Sequence, residues 1–220
     1  MIDDPDDGDL PETLPIFPLT GALLMPQGRL PLFIFEPRYL AMVEDVIKGD
    51  RLIGMVQPVE ADAEERQHEP AVHATGCAGR ITQFKETPDD RFEIVLDGVS
   101  RFDIESELQG RNGYRVVAAN WDRFVEDRSG GESLDGALRS RLLQSLDRFL
   151  AVRGVVPDEG AIGELNGAEL VAAIAMACPF HAIEKQAVLE SEAVSARAEL
   201  LTALLDMAAH GGDGNHISRQ

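Results

Sequence analysis

Three groups of side chains in this sequence have the chemistry to bind or react. The first is a set of metal-type donors, His68, His73 and Cys77 followed far downstream by Cys178 and His181. A structural zinc site needs four such ligands in a tetrahedron, normally announced by paired, closely spaced cysteines. That pairing is missing, Cys77 falls in an apolar strand pattern and Cys178 on a helical face, so both read as small hydrophobes and no metal or other cofactor is expected. The second group is Arg80 and Arg101, each near glycine in strand-like segments. A guanidinium there could clamp a carboxylate such as a peptide terminus through paired donors, or form a buried ion pair with one of the 39 acids. The third is Glu36, Arg38 and Tyr39, where a strand hands over to a helix and side chains often face a partner. An acid beside a helix dipole and a tyrosine packed on the core account for the same residues.

Catalytic signatures are absent from the sequence. It contains no Gly-x-Ser-x-Gly, no His-Glu-x-x-His and no glycine-rich loop ending in Gly-Lys-Ser or Gly-Lys-Thr. Scattered Ser, His and Asp residues sit in no recognised turn geometry, so no catalytic residue is assigned. A net charge of minus 19 repels phosphate backbones and anionic membranes, which argues against DNA, RNA and membrane surfaces as partners. Phe17, Phe33, Phe35, Phe84, Phe92 and Phe102 could stack nucleobases, but they lie mostly in apolar runs and no basic patch accompanies them, so core packing is the expectation. No apolar run approaches the roughly 20 residues of a membrane span, the start Met1-Ile2-Asp3-Asp4 is unlike a secretion signal, and two isolated cysteines suit a reducing compartment. A cytoplasmic protein is expected.

The elements that must position these residues follow from periodicity and turn chemistry. Residues 3–12 hold six acids, two prolines and no base, too polar to offset the entropy of ordering, so residues 1–13 read as a disordered tail. Leu14 to Leu19 is a short extended segment with prolines suited to an edge. Pro31 to Phe35 is a continuous apolar run, as for a strand buried on both faces. Glu36-Pro37 opens a helix carrying Tyr39, Leu40, Val43, Val46 and Ile47 at helical spacing, stopped near Lys48-Gly49. Arg51 to Gln57 is the next strand, and an acidic loop runs from Pro58 to Glu69. Strands are then expected around Cys77–Phe84, Arg91–Leu96, Val99–Leu108 and Tyr114–Trp121, with turns at Pro88-Asp89-Asp90, at Asp97-Gly98 and over Gln109 to Gly113. Short, evenly spaced strands with one inserted helix favour a closed or partly closed barrel over residues 14–122.

A polar linker over 123–132 leads into a helical subdomain over 133–209. Ser133 is the expected cap of a helix with Leu138, Leu142, Leu146 and Phe149 on one stripe, stopping at Gly154. Asn166 and Glu169 form a capping-box pattern, with Pro179 ending that helix. Helices over Ile183–Leu189 and Val194–Met207 follow, and 210–220 reads as a flexible tail.

Several ordered motifs resemble one family. Leu-Pro-Ile-Phe-Pro-Leu from Leu14, Pro-Leu-Phe-Ile-Phe-Glu-Pro-Arg-Tyr from Pro31, Ile53-Gly54-Met55-Val56, Gly76-Cys77-Ala78-Gly79-Arg80-Ile81, Gly98-Val99-Ser100-Arg101-Phe102 and Glu184-Lys185-Gln186-Ala187-Val188-Leu189 are similar to the amino-terminal substrate-binding domain of the ATP-dependent protease Lon. The resemblance covers roughly residues 14–207. It implies an α+β fold, a PUA-like β-barrel with one inserted helix followed by a C-terminal helical bundle. It also implies a bacterial, proteolysis-related role in protein quality control. A complete Lon protease continues into ATPase and serine-lysine protease modules, whereas the lysines here are Lys48, Lys85 and Lys185 alone. The resemblance therefore implies a non-catalytic module that binds unfolded or regulatory polypeptides, or a protease partner, with Glu36, Arg38, Tyr39, Arg80 and Arg101 as candidate substrate-binding residues. An RNA-binding module is the alternative left by the barrel's fold relatives. The oligomeric state is not set by the sequence.

Overall fold

The computed structural model describes residues 10–59, 70–129, 133–156 and 159–210. The expected tail over 1–9, most of the acidic loop, the end of the linker and the chain beyond 210 lie outside them. Six strands run in order as β1 (Thr13–Pro18), β2 (Arg29–Ile34), β3 (Leu52–Val56), β4 (Thr75–Glu86), β5 (Phe92–Arg111) and β6 (Tyr114–Asn120), with helix α1 (Pro37–Val46) inserted after β2. A 3-10 helix (Asp122–Arg128) follows, and then α2 (Gly136–Val152), α3 (Glu159–Glu164), α4 (Gly167–Ala177), α5 (Ala182–Glu190) and α6 (Val194–His210).

The sheet order is β2-β5-β4-β3-β1-β6, and β5 also pairs with β6. Five strands therefore close into a ring, and β2 hangs outside it on the first half of β5. Only β1 and β3 are parallel, with Ile16 beside Gly54 and Phe17 beside Met55. All other pairings are antiparallel. The two-residue turn between β5 and β6 places Asn112 and Gly113 at φ of 52° and 85°, the left-handed pair that a tight hairpin requires.

Alternation along the strands sorts side chains into two cores. Leu14, Ile16, Leu52, Val56, Ala78, Phe102, Val117 and Ala119 fill the inside of the ring. The intervening residues, such as Phe17, Ile53, Met55 and Cys77, point outward into a larger core that continues without a break through Leu142, Phe149, Leu170, Val188 and Leu201 of the helices. Strands β1 and β3 thus read as nearly unbroken apolar runs because both of their faces are covered.

Local chemistry explains the ends. Proline occupies the first turn of α1. Helix α4 opens with the Asn166–Glu169 capping box as expected, and Gly154 after α2 takes a φ of 67°. The cap of α2 is Asp135 rather than Ser133: its carboxylate accepts from Ala137 and Leu138 N–H. The segment read as the start of a linker, 122–128, is the 3-10 helix, and it buries Phe124. Upstream, the carbonyls of Pro11 and Glu12 accept from the Trp121 indole and from Ala119 N–H, so the sheet reaches back into the residues read as tail.

The expected turn at Asp97-Gly98 lies inside β5, which runs unbroken for 20 residues. Its pairing with β4 shifts register between Ala78 and Gly79, leaving Val99 as an extra residue on β5. This is a β-bulge, which bends the strand from the β2 side toward β6. Gly98 is required there by close approach: a Cβ would run into the Met25 carbonyl oxygen, while Gly98 N–H donates to Gly28 C=O and Gly98 C=O accepts from Gln27 N–H. A Gly98→Ala variant is expected to lose about 1–3 kcal/mol. Urea denaturation checks this, and an unchanged midpoint would show that the 19–28 loop is not held against β5.

Candidate functional site

The motif residues serve first as joints between the ring and the helices. Arg101, 2% exposed, sits on β5 where the ring meets the α5–α6 turn. Its Nε and Nη2 donate to the two Asp127 carboxylate oxygens, both at 2.8 Å. Nη1 donates to the carbonyls of Leu189 (2.9 Å) and Ser191 (2.6 Å), and Nη2 also to Glu192 C=O (2.9 Å). The Phe124 ring covers the guanidinium at 4.2 Å, and Arg197 stands 4.0 Å from the same carboxylate. With every donor used inside the fold, Arg101 has none to offer a ligand; of the two readings open to it, the buried ion pair is the one the structure displays. Lys185 and Gln186 act similarly. Lys185 Nζ donates to Gly21 C=O, and burial holds its ammonium pKa down. Gln186 bridges Thr75 C=O, Glu190 and the Gln57 amide.

The remaining candidates fall in different places. Glu36 and Arg38 pair at 2.9 Å at the end of β2, and the Arg38 guanidinium lies 4.5 Å above the Tyr39 ring. Tyr39 is buried against Phe17, with ring centroids 4.0 Å apart. Arg80, on β4, donates to Asp50 C=O at 3.0 Å and braces the turn before β3. Cys77 and Cys178 are buried free thiols. Burial pushes the Cys77 thiol well above its ordinary range and that of Cys178 to about 11, so both stay protonated at neutral pH and are poor nucleophiles. His68 lies outside the described residues.

The feature that the sequence reading missed surrounds β2. Pro31 to Phe35 is exposed on alternate residues: Phe33 and Phe35 are 47% and 59% exposed while Ile34 is buried. The strand expected to be covered on both faces is instead the end of the sheet. Pro31 was the available signal, since a proline within a strand marks an edge. The bond from Gly98 N–H to Gly28 C=O makes Arg29 and Asp97 a non-hydrogen-bonded pair. By alternation the same holds for Pro31 with Val95 and Phe33 with Glu93. The backbone groups of Arg29, Pro31 and Phe33 therefore point away from β5. Pro31 occupies a position whose missing N–H costs the ladder nothing.

Two grooves flank this edge and share Pro31. One, of about 600 Å³, lies between Gly28–Pro31 and the α4 side chains Ala173 and Met176. The other, of about 540 Å³, is lined by residues 31–33 of β2, 93–95 of β5 and 83–85 of β4, including the polar side chains of Gln83, Lys85 and Glu93. Phe84 is 42% exposed and rests on Phe92 at 4.9 Å. The charges nearby are already neutralised, Lys85 by Glu93 at 2.8 Å and Arg91 by Asp89 at 3.1 Å. A third depression, of about 580 Å³ beside the β5–β6 hairpin, has a mixed polar and apolar lining, and the Tyr114 hydroxyl and Asn112 amide nearby both donate to Asp45.

The described residues thus form a strand ring buttressed by helices, with an apolar edge left open at β2. The chain belongs to the family of the ATP-dependent protease La (LON) substrate-binding domain, whose profile matches residues 13–207. It is 30% identical over 202 residues to Lon protease 2 of Myxococcus xanthus and 28% identical over 201 residues to a Lon protease of Anaeromyxobacter dehalogenans. Each match covers 90% of this chain but 24% and 23% of the relative, so the chain spans about a quarter of their length. The fold is shared with a Lon N-terminal domain protein from Xanthomonas campestris (24% identity, TM-score 0.61, 87% of this chain and 97% of that one). It is shared too with the N-terminal domain of a Mycobacterium avium complex Lon protease (14%, 0.64, 93% and 100%). No helix among the described residues is long and apolar enough to cross a membrane.

Proposed function

We propose that this chain is a non-catalytic module of protein quality control that holds unfolded or regulatory polypeptide segments, alone or for a protease partner. The observation that supports it is the exposure of Phe33 and Phe35 along an open strand edge flanked by two grooves, with Phe84 exposed two strands away on β4. Burial of such surface contributes about 25 cal/mol per Å², which draws exposed apolar segments without demanding one sequence. Glu36 and Arg38, at the end of the same strand, supply paired charge on its rim and orient a passing segment rather than anchor it.

Calorimetry with a permanently unfolded, reduced and alkylated protein tests the reading. Binding is expected with a negative heat-capacity change, the mark of apolar burial, and a Phe33→Ser/Phe84→Ser variant should bind about tenfold more weakly. Absence of heat at high concentration of both proteins would overturn it. Binding that instead collapses steeply with salt and prefers RNA would favour a nucleic-acid module.

A further inference from the structure

We propose that the outer edge of β2 takes an extended polypeptide as an added strand, and that the segment it prefers carries alternating apolar residues with basic flanks. This rests on the polypeptide-binding reading above and adds the mode and class of the bound segment. Among the described residues, β2 pairs with β5 on one side only. Its other side presents three carbonyls, of Arg29, Pro31 and Phe33, and two N–H groups, of Arg29 and Phe33, as the register with β5 dictates. All three residues are exposed.

Such a row of donors and acceptors is satisfied by another extended backbone, and the gap at Pro31 sets the register: the partner residue opposite it donates its N–H but receives none. An added strand would lie with alternate side chains in the two grooves beside Pro31, the arrangement in which main-chain bonds give affinity and alternate pockets give selectivity. Charge selects the flanks. The chain carries minus 19, and Phe33 already accepts a guanidinium, that of Arg91, over its ring at 5.7 Å. A cationic segment is therefore steered toward the protein while an acidic one is repelled. The same net charge opposes pairing of β2 with a second copy of the chain.

The test uses the full chain and short alternating valine–threonine peptides ending in lysine or in glutamate, followed by fluorescence anisotropy. The lysine-flanked peptide should bind at least about tenfold more tightly at low salt. N-methylation of every second amide should abolish binding in one phase of the alternation and leave it in the other, because only one set of N–H groups faces β2. In the protein, Phe33→Pro removes an outward N–H without touching the ladder and should weaken binding about tenfold, whereas Phe33→Leu, which keeps it, should cost less. Equal binding of both methylated phases would overturn strand addition while leaving polypeptide binding intact. No binding of any peptide, or of the unfolded protein, would overturn the underlying reading as well. Concentration-dependent dimerisation that Phe33→Pro abolishes would assign the edge to a second copy instead.

Discussion

An Asp127→Ala variant is expected to lose about 3–5 kcal/mol of stability, because it strands the Arg101 guanidinium in the interior without its counter-ion. Both side chains are almost wholly buried, at 2% and 3% exposure. The carboxylate also accepts from the backbone N–H of Arg101 at 3.0 Å. Truncation of either partner leaves the other charged group out of water and unpaired. The double change Arg101→Met/Asp127→Leu removes both charges and should recover part of the loss. Recovery stays incomplete because the Leu189 carbonyl loses its Arg101 donor, at about 1–3 kcal/mol if it stays buried and unbonded, whereas the Ser191 and Glu192 carbonyls keep Arg197 Nη1. Urea midpoints of the singles and the double form the cycle. A single-variant loss below about 1 kcal/mol would show that the pair is open to solvent.

The second large effect is expected at Phe102, whose side chain is fully buried inside the strand ring. Phe102→Ala should cost about 3–5 kcal/mol through lost burial and the cavity left behind. The ring lies against Trp121 at 5.6 Å between centroids, and it fits because two strands carry no side chain where it passes. A Cβ on Gly54 would stand 2.7 Å from Phe102 Cζ, and one on Gly76 would stand 2.8 Å from the same atom. Gly54→Ala should therefore be destabilising alone and markedly less so in the Phe102→Ala background, a coupling of about 1 kcal/mol or more between contacting sites. Strict additivity in thermal or urea unfolding would mean that Phe102 does not fill the space beside Gly54.

These two sites show what a sequence discloses and what it withholds. That Arg101 was either a ligand clamp or half of a buried ion pair was legible from its type and setting, but its partner was not. Asp127 sits in a polar stretch whose composition reads as linker, and only the folded chain reveals that Phe124 and Asp127 are drawn inward by the guanidinium. The glycines at 54 and 76 stood out within their motifs, yet the reason for them is a phenylalanine far along the chain. The helices were legible nearly to the residue wherever capping chemistry is local, as at Asn166 and Glu169. The exception is Asp135, which competes with Ser133 for the same role two residues away. Asp97-Gly98 misled because a bulge and a turn use the same residues. The edge at β2 was concealed because an apolar run looks alike whether one face or both are covered, and Phe33 and Phe35 alternate with Leu32 and Ile34 in a way that only the pairing with β5 resolves.

The carbonyls that hold Arg101 come 88 to 91 residues after it in the chain, and the strand that closes the ring ends only at Asn120. During synthesis the strands of the ring are complete about midway through the domain, but the Arg101 guanidinium cannot be satisfied until the α5–α6 turn has also left the ribosome. Contacts of such long sequence separation make folding slow. Until then the outward-facing residues of the ring, such as Phe17, Ile53 and Cys77, lack the helical cover they have in the finished fold.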